Sequence, residues 1–155
     1  MKFSAREDIE APIGHVFLNV TDFAGFERQI LRRGADVRRI DVGQPVQPGS
    51  SWDVAFTYRG RERRVLATIA RMDAPTDLTI TMAANGLDGI TQIELVPLTP
   101  RRTRLSVSIE LSARTLSARL LLQSLKLAKS NLSNRFKTRV SDLAKDIADK
   151  PSRSA

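Results

Sequence analysis

The sequence predicts an α+β domain: a curved antiparallel sheet wrapped around a long C-terminal helix, with two short helices between the first strand and the rest. Three observations carry this. Between residues 37 and 111, apolar side chains recur with period two in successive short segments, the spacing of strands with one greasy face. Over 115–149 they recur with helical period, and neither glycine nor proline interrupts them. Before residue 37, Pro12 and the pair Thr21-Asp22 mark two helix starts.

In chain order, 2–10 alternates, with Phe3, Ala5 and Ile9 on one side and Lys2, Arg6, Asp8 and Glu10 opposite, so it reads as a half-buried strand. Pro12 opens a helix over 13–20, because its fixed φ suits a first turn and no donor is needed there. Thr21-Asp22 caps a second helix through Phe23, Phe26 and Ile30, which Gly34 ends. A strand over 37–42 follows, then a loop over 43–50 rich in Pro and Gly. Trp52, Val54, Phe56 and Tyr58 alternate with Asp53, Ala55, Thr57 and Arg59, a strand with one apolar face. Gly60 turns the chain into a strand over 63–72, and Ala74-Pro75 turns it again before Leu78, Ile80 and Met82. Asn85-Gly86 is a hairpin signal ahead of 89–96. After a turn over 97–102, Leu105, Val107, Ile109 and Leu111 alternate with Ser106, Ser108 and Glu110. At about 100° per residue, Leu121, Leu125, Ala128, Leu132, Phe136, Val140, Leu143 and Ile147 then form one stripe of a single long helix. One domain over 1–149 and a frayed tail over 150–155 are expected.

With 155 residues the chain can bury about two-thirds of its surface, so no disulfide or metal is needed to stabilise it. The absence of cysteine excludes disulfides, Cys-based metal sites and thiol nucleophiles, and fits a reducing compartment. Glu7 and Asp8 arrive before any apolar run, so no signal peptide is expected, and no stretch is long and greasy enough for a membrane span. A soluble, cytoplasmic protein is the expectation. Lys and Arg number 25 against 17 Asp and Glu, a net charge of +8 that attracts polyanions or acidic ligands.

The order of elements, together with several local patterns, resembles the START/Bet v 1-like helix-grip superfamily (SRPBCC), in particular small bacterial polyketide-cyclase-like and CoxG-like proteins. The patterns are Ile9-Glu10-Ala11-Pro12 leading into Val16-Phe17, Thr21-Asp22-Phe23, Gly49-Ser50-Ser51-Trp52, and Met72-Asp73-Ala74-Pro75 leading to Leu78. The resemblance covers about residues 3–148. It implies an apolar cavity between sheet and helix that holds a lipid-like molecule. Carried onto this chain, it implies walls from Trp52, Val54, Phe56, Tyr58, Ala67, Ile69, Ile80, Met82, Thr91, Ile93, Val107 and Ile109, closed by Leu121, Leu125 and Leu132. Each of these is equally a candidate for plain core packing.

The first half of the long helix is apolar on two sides, since Leu116, Leu120 and Leu127 point away from the Leu125–Leu132–Phe136 stripe. The resemblance sets that end beside the hairpin of Arg59, Arg61, Arg63 and Arg64, giving a cavity mouth of Arg59, Arg61, Leu116 and Leu120. Such a rim suits an anionic amphiphile or an anionic membrane surface; a dimer interface or packing under the sheet is the alternative. Other arginines lie apart: Arg101, Arg102 and Arg104 at an opposite hairpin, and Arg32, Arg33, Arg38 and Arg39 near the second helix. Dispersed charge, few aromatics and no reading motif disfavour nucleic acid.

His15, the only histidine, is expected at the surface, and one histidine cannot build a multi-histidine metal site. Tyr58 and Glu94 are the only candidates for acid–base chemistry, and the alternation places Gln92 and Glu94 on the outer face. No cofactor and no metal are expected, and catalytic residues are not assigned. The reading is a protein that binds or carries a hydrophobic or amphipathic small molecule; the alternative is a polyketide cyclase or hydratase-type enzyme using the same cavity.

Overall fold

The computed structural model describes residues 1–151, so positions 152–155 of the expected tail lie outside the described residues. The elements run β1 (Lys2–Ile9), α1 (Ile13–Val20), α2 (Phe23–Arg32), β2 (Asp36–Arg39), β3 (Ser51–Tyr58), β4 (Arg61–Asp73), β5 (Asp77–Ala84), β6 (Leu87–Thr99), β7 (Arg102–Ala113), α3 (Leu116–Leu127) and α4 (Lys129–Asp149). All pairings are antiparallel in one seven-stranded sheet of order β1-β7-β6-β5-β4-β3-β2. Strands β2 to β7 thus form a meander, and β1 crosses over to the far edge beside β7.

Inward side chains of the alternating strands meet the helices in a core of Ile9, Val16, Phe17, Leu95, Leu105, Val140 and Ile147. Each such side chain contributes about 1.5–3 kcal/mol by leaving water. A smaller cluster, Trp52, Ile69 and Leu78, lies toward the β2 edge. A register shift between Ile69 and Arg71 keeps both Ile69 and Met72 packed inward and bends β4, one source of the sheet's curvature.

Three expectations are corrected. The strand predicted over 37–42 ends at Arg39. There the Asp41 carboxylate accepts hydrogen bonds from Arg39 Nε and from the Ser51 N–H, both at 3.2 Å, and turns the backbone out of the sheet. Ile40 and Val42 are consequently exposed.

The single helix predicted over 115–149 is two helices that meet at Ala128. The Ala128 N–H donates to the Leu125 carbonyl at 3.0 Å, three residues back instead of four, and Ala128 is exposed instead of completing the buried stripe. Helix α3 packs on β7, whereas α4 packs on β1 and α1. Adjacent strands of a twisted sheet are not parallel, so a straight rod cannot follow both.

His15 is buried, not exposed: its Nε2 lies 2.9 Å from the Ile147 carbonyl oxygen. Val16, Phe17 and Val20 seat the short α1 in the core, and His15 comes with them.

Candidate functional site

Two cavities lie end to end on the concave face of the sheet. The first, about 220 Å³, sits under α2 and is almost wholly apolar. Trp52, Val54, Ala67, Ile80 and Ile93 form its sheet side, and Phe23, Phe26 and Ile30 its roof. Glu27 is the one charged residue there, and it is engaged: its Oε1 accepts from Trp52 Nε1 at 2.5 Å. Phe23 stacks on Trp52 at 5.1 Å, and the Arg39 guanidinium lies over the same ring at 5.7 Å. Trp52 thereby fastens α2 to the sheet, which is what keeps the roof in place.

The second cavity, about 420 Å³, opens where the β3–β4 and β5–β6 hairpins meet α3. The two cavities are neighbours along β3 and β4: Val54 lines the first, and its register partner Val65 lines the second. Phe56, Val65, Leu87 and Leu121 are its apolar surface. Around Tyr58 stand three arginines. The guanidinium carbons of Arg59 and Arg63 lie 5.3 and 6.0 Å from the Tyr58 ring centre, and Arg61 lines the same space.

No Asp or Glu lines this cavity. Most other arginines in or beside the sheet have carboxylate partners, Arg6 excepted: Arg38 and Arg64 on Asp53, Arg39 on Asp41, Arg71 on Asp73, Arg102 and Arg104 on Asp8, Arg114 on Asp88. Among the described residues, Arg59, Arg61 and Arg63 make no ion pair. Arg63 Nε is also buried and without a hydrogen-bond partner, a costly state for part of a charged group.

Where arginines are paired, the fold uses them. The Arg39 guanidinium, with the Ser50 hydroxyl and the Ser51 N–H, holds the Asp41 carboxyl well below the usual carboxylate range. The Arg104 hydrogen bond lowers that of Asp8 in the same way.

The hairpins position the site. Arg59 and Gly60 have φ of 53° and 73°, both in the left-handed region, as a two-residue type I′ turn demands. Asn85 and Gly86 repeat the geometry at 44° and 81°. The Gly86 carbonyl accepts from the Arg114 N–H at 2.7 Å, and a Cβ at Gly86 would lie 2.5 Å from the Thr115 side chain, which caps α3. This close approach anchors the start of α3 beside the arginines.

Of the residues singled out from sequence, Trp52, Val54, Ala67, Ile80 and Ile93 line the first cavity, and Phe56, Tyr58, Arg59, Arg61 and Leu121 the second. Ile69 and Val107 are core, and Met82 packs against Gly89. Thr91, Ile109, Leu125 and Leu132 are half-buried and line neither cavity. Leu116 and Leu120 stand in solvent on the outer side of α3. Glu94 is exposed on the outer face, so it and Tyr58 share no cavity. Sequence reasoning missed the roof of α2, although Phe23, Phe26 and Ile30 have helical spacing. It named Arg63 with the hairpin arginines but not as a site residue, although Arg63 falls in phase with the inward Val65, Ala67 and Ile69. Among the described residues, no helix is long and apolar enough to cross a membrane.

Solved structures place this architecture. The chain has the START/Bet v 1-like helix-grip fold. It is similar to the protein TTHA0849 from Thermus thermophilus, with TM-score 0.67 and 13% identity over 95% of this chain and 97% of that one. It is likewise similar to the Zhui aromatase/cyclase from Streptomyces sp. R1128, with TM-score 0.65 and 11% identity over 95% and 93% of the two chains. With Ara h 8.0201 the TM-score is 0.55 and the identity 14%, over 92% and 98%. At these identities the likeness is one of fold. No family model and no curated protein matches the sequence.

Proposed function

We propose that this protein binds and carries an amphipathic small molecule whose apolar part lies along Val54, Ala67 and Ile80 and whose anionic end sits among Arg59, Arg61 and Arg63. One observation carries the reading: at one end of an apolar concave surface stand three arginines without an ion pair among the described residues, in a cavity that no Asp or Glu lines, one of them with a buried Nε that has no partner. A carboxylate or phosphate would supply the missing acceptor, and a guanidinium fork matches either group with paired hydrogen bonds. A ligand with no acceptor oxygen at that end would leave the desolvation cost unrelieved. In this reading Leu121 and Ile93 complete the wall, and the rim of Arg59 and Arg61 would face an anionic membrane when ligand is exchanged.

Native mass spectrometry of the purified protein, with solvent extraction of what copurifies, tests the reading. An amphiphile bearing a carboxylate or phosphate is the expected finding. Arg63→Gln should lose it, and Arg104→Gln, at the far end of the sheet, should keep it. A protein that retains no amphiphile and binds no added fatty acid would sink the proposal.

A further inference from the structure

Helix α3 has a face for which the fold provides no cover. Leu116, Leu120 and Leu127 are 73%, 58% and 92% exposed. At about 100° per residue they fall within about 40° of one another. The opposite side buries Ala118 and half-buries Leu121, Leu122 and Leu125. The helix is therefore apolar on two sides, and the sheet uses only one.

Charge is concentrated in the same stretch. Residues 111–141 contain seven basic side chains, Arg114, Arg119, Lys126, Lys129, Arg135, Lys137 and Arg139, and no Asp or Glu. That segment alone supplies +7 of the chain's net +8. Among the described residues, only Arg114 of the seven is ion-paired, with Asp88 at 2.7 Å. Arg119 and Lys126 border the leucine stripe on one side, about 60–80° around the helix from Leu116.

The occupant of this face must accept leucine side chains and positive charge together. A second copy meeting it through a two-fold axis would satisfy the leucines but, since 111–141 contains no Asp or Glu, would offer Arg119 and Lys126 no opposite charge, and packed antiparallel would set them against the same residues of the other. A nucleic acid would meet the charge and leave the leucines in water. An anionic lipid bilayer meets both demands, because leucines enter the acyl boundary while Lys and Arg stay among the headgroups. We propose that α3 docks this protein on anionic bilayers through Leu116, Leu120 and Leu127, flanked by Arg119 and Lys126. Ser117, Ala118 and Leu121 line the second cavity from the inner side of the same helix, so docking brings the cavity edge to the membrane. The docking itself does not depend on what the cavities hold.

The test is flotation of the full chain with vesicles of phosphatidylcholine, with and without phosphatidylglycerol. Binding is expected only when phosphatidylglycerol is present. Each basic residue near such a surface strengthens binding about fivefold, an effect that salt screens. Arg119→Glu with Lys126→Glu should therefore weaken binding by more than about tenfold at low ionic strength, and by less as salt rises. Leu120→Ser with Leu127→Ser should weaken it about tenfold or more at every ionic strength. Because the chain has no cysteine, Leu127→Cys introduces a unique thiol. An environment-sensitive dye there should shift to the blue with phosphatidylglycerol vesicles and stay unshifted with phosphatidylcholine alone. Three results would overturn the proposal: no flotation and no dye shift with anionic vesicles; a leucine variant that binds like the parent; or a parent dimer that the leucine substitutions convert to monomer. Tighter binding to duplex DNA than to vesicles would likewise assign the face elsewhere. Filling the first cavity with Ala67→Trp should leave flotation intact, which separates this proposal from the ligand-carrying one.

Discussion

His15 Nε2 meets the carbonyl oxygen of Ile147 at 2.9 Å, across 132 residues of chain. A carbonyl only accepts, so Nε2 carries the hydrogen of this bond. The last carbonyls of a helix have no partner within it, and His15 from α1 satisfies one at the end of α4. Both residues are buried, so the bond is shielded from water. His15→Ala, which opens a void and leaves the Ile147 carbonyl only the 3.4 Å bond from the Lys150 N–H, should lower stability by about 1–3 kcal/mol, read as a shift of the urea midpoint. An unchanged midpoint would mean that the bond contributes nothing.

Ala67 lines the first cavity between Trp52 on β3 and Met82 on β5, its register partners. Ala67→Trp should fill much of the roughly 220 Å³ and displace an apolar fluorescent probe, at a cost of about 1–3 kcal/mol from overpacking. A folded variant that binds the probe as the parent does would count against occupation of this cavity.

The arginines of the second cavity should separate by salt. Arg59 and Arg61 are exposed, so Arg59→Glu with Arg61→Glu should weaken binding of a fatty acid mainly at low ionic strength. Arg63 is partly buried with its Nε shielded, so Arg63→Gln should weaken it at every ionic strength. Titrations that show the same salt slope for both variants would refute this division of roles.

Asp41 should make stability depend on pH. Its folded carboxyl is held below the ordinary value by Arg39 first, then by Ser50 and Ser51, so the folded state prefers the ionised form more than the unfolded chain does. The sign follows: the stabilisation is fully present above the ordinary carboxylate pKa of about 3.9 and is lost as pH falls below it. Asp41→Asn should therefore be less stable than the parent at neutral pH, and the difference should shrink toward about pH 2. Denaturant midpoints across that range check it; a constant difference would show that charge is not the cause.

Arg59 occupies a left-handed turn position that its neighbouring hairpin fills with Asn85. Left-handed backbone costs a residue with an ordinary side chain about 1–2 kcal/mol, less for Asn. Arg59→Asn should raise the melting temperature and at the same time weaken fatty-acid binding. A variant both more stable and equally tight would show that the strain at Arg59 serves no ligand.

The strands were legible because each carries clean alternation over one buried face, and Asn85-Gly86 fixes a turn with little freedom for error. What escaped was set by tertiary geometry. The break at Ala128 follows from the twist between β1 and β7, not from any local residue, since neither Gly nor Pro is present there. The burial of His15 depends on a carbonyl far away in the chain. The α2 roof was readable as an apolar stripe, but nothing in its spacing says that Trp52 and Glu27 would fasten it over the sheet. Arg63 left the clearest trace, a charge in the inward phase of a strand, a position where a purely structural core would carry an apolar side chain.

Because the hydrogen-bond ladder is interrupted at Ala128, helical cooperativity does not pass intact from α4 into α3. A helix of 12 residues is marginal by itself, and α3 is held by one buried alanine and a few half-buried leucines, whereas α4 buries Val140, Ala144 and Ile147. Deuterium exchange should therefore be graded along the C-terminal region: fast amides in α3 that open as a hinged flap, and slow amides in α4 that open only when the whole domain unfolds. The protein carries a detachable edge on a rigid frame.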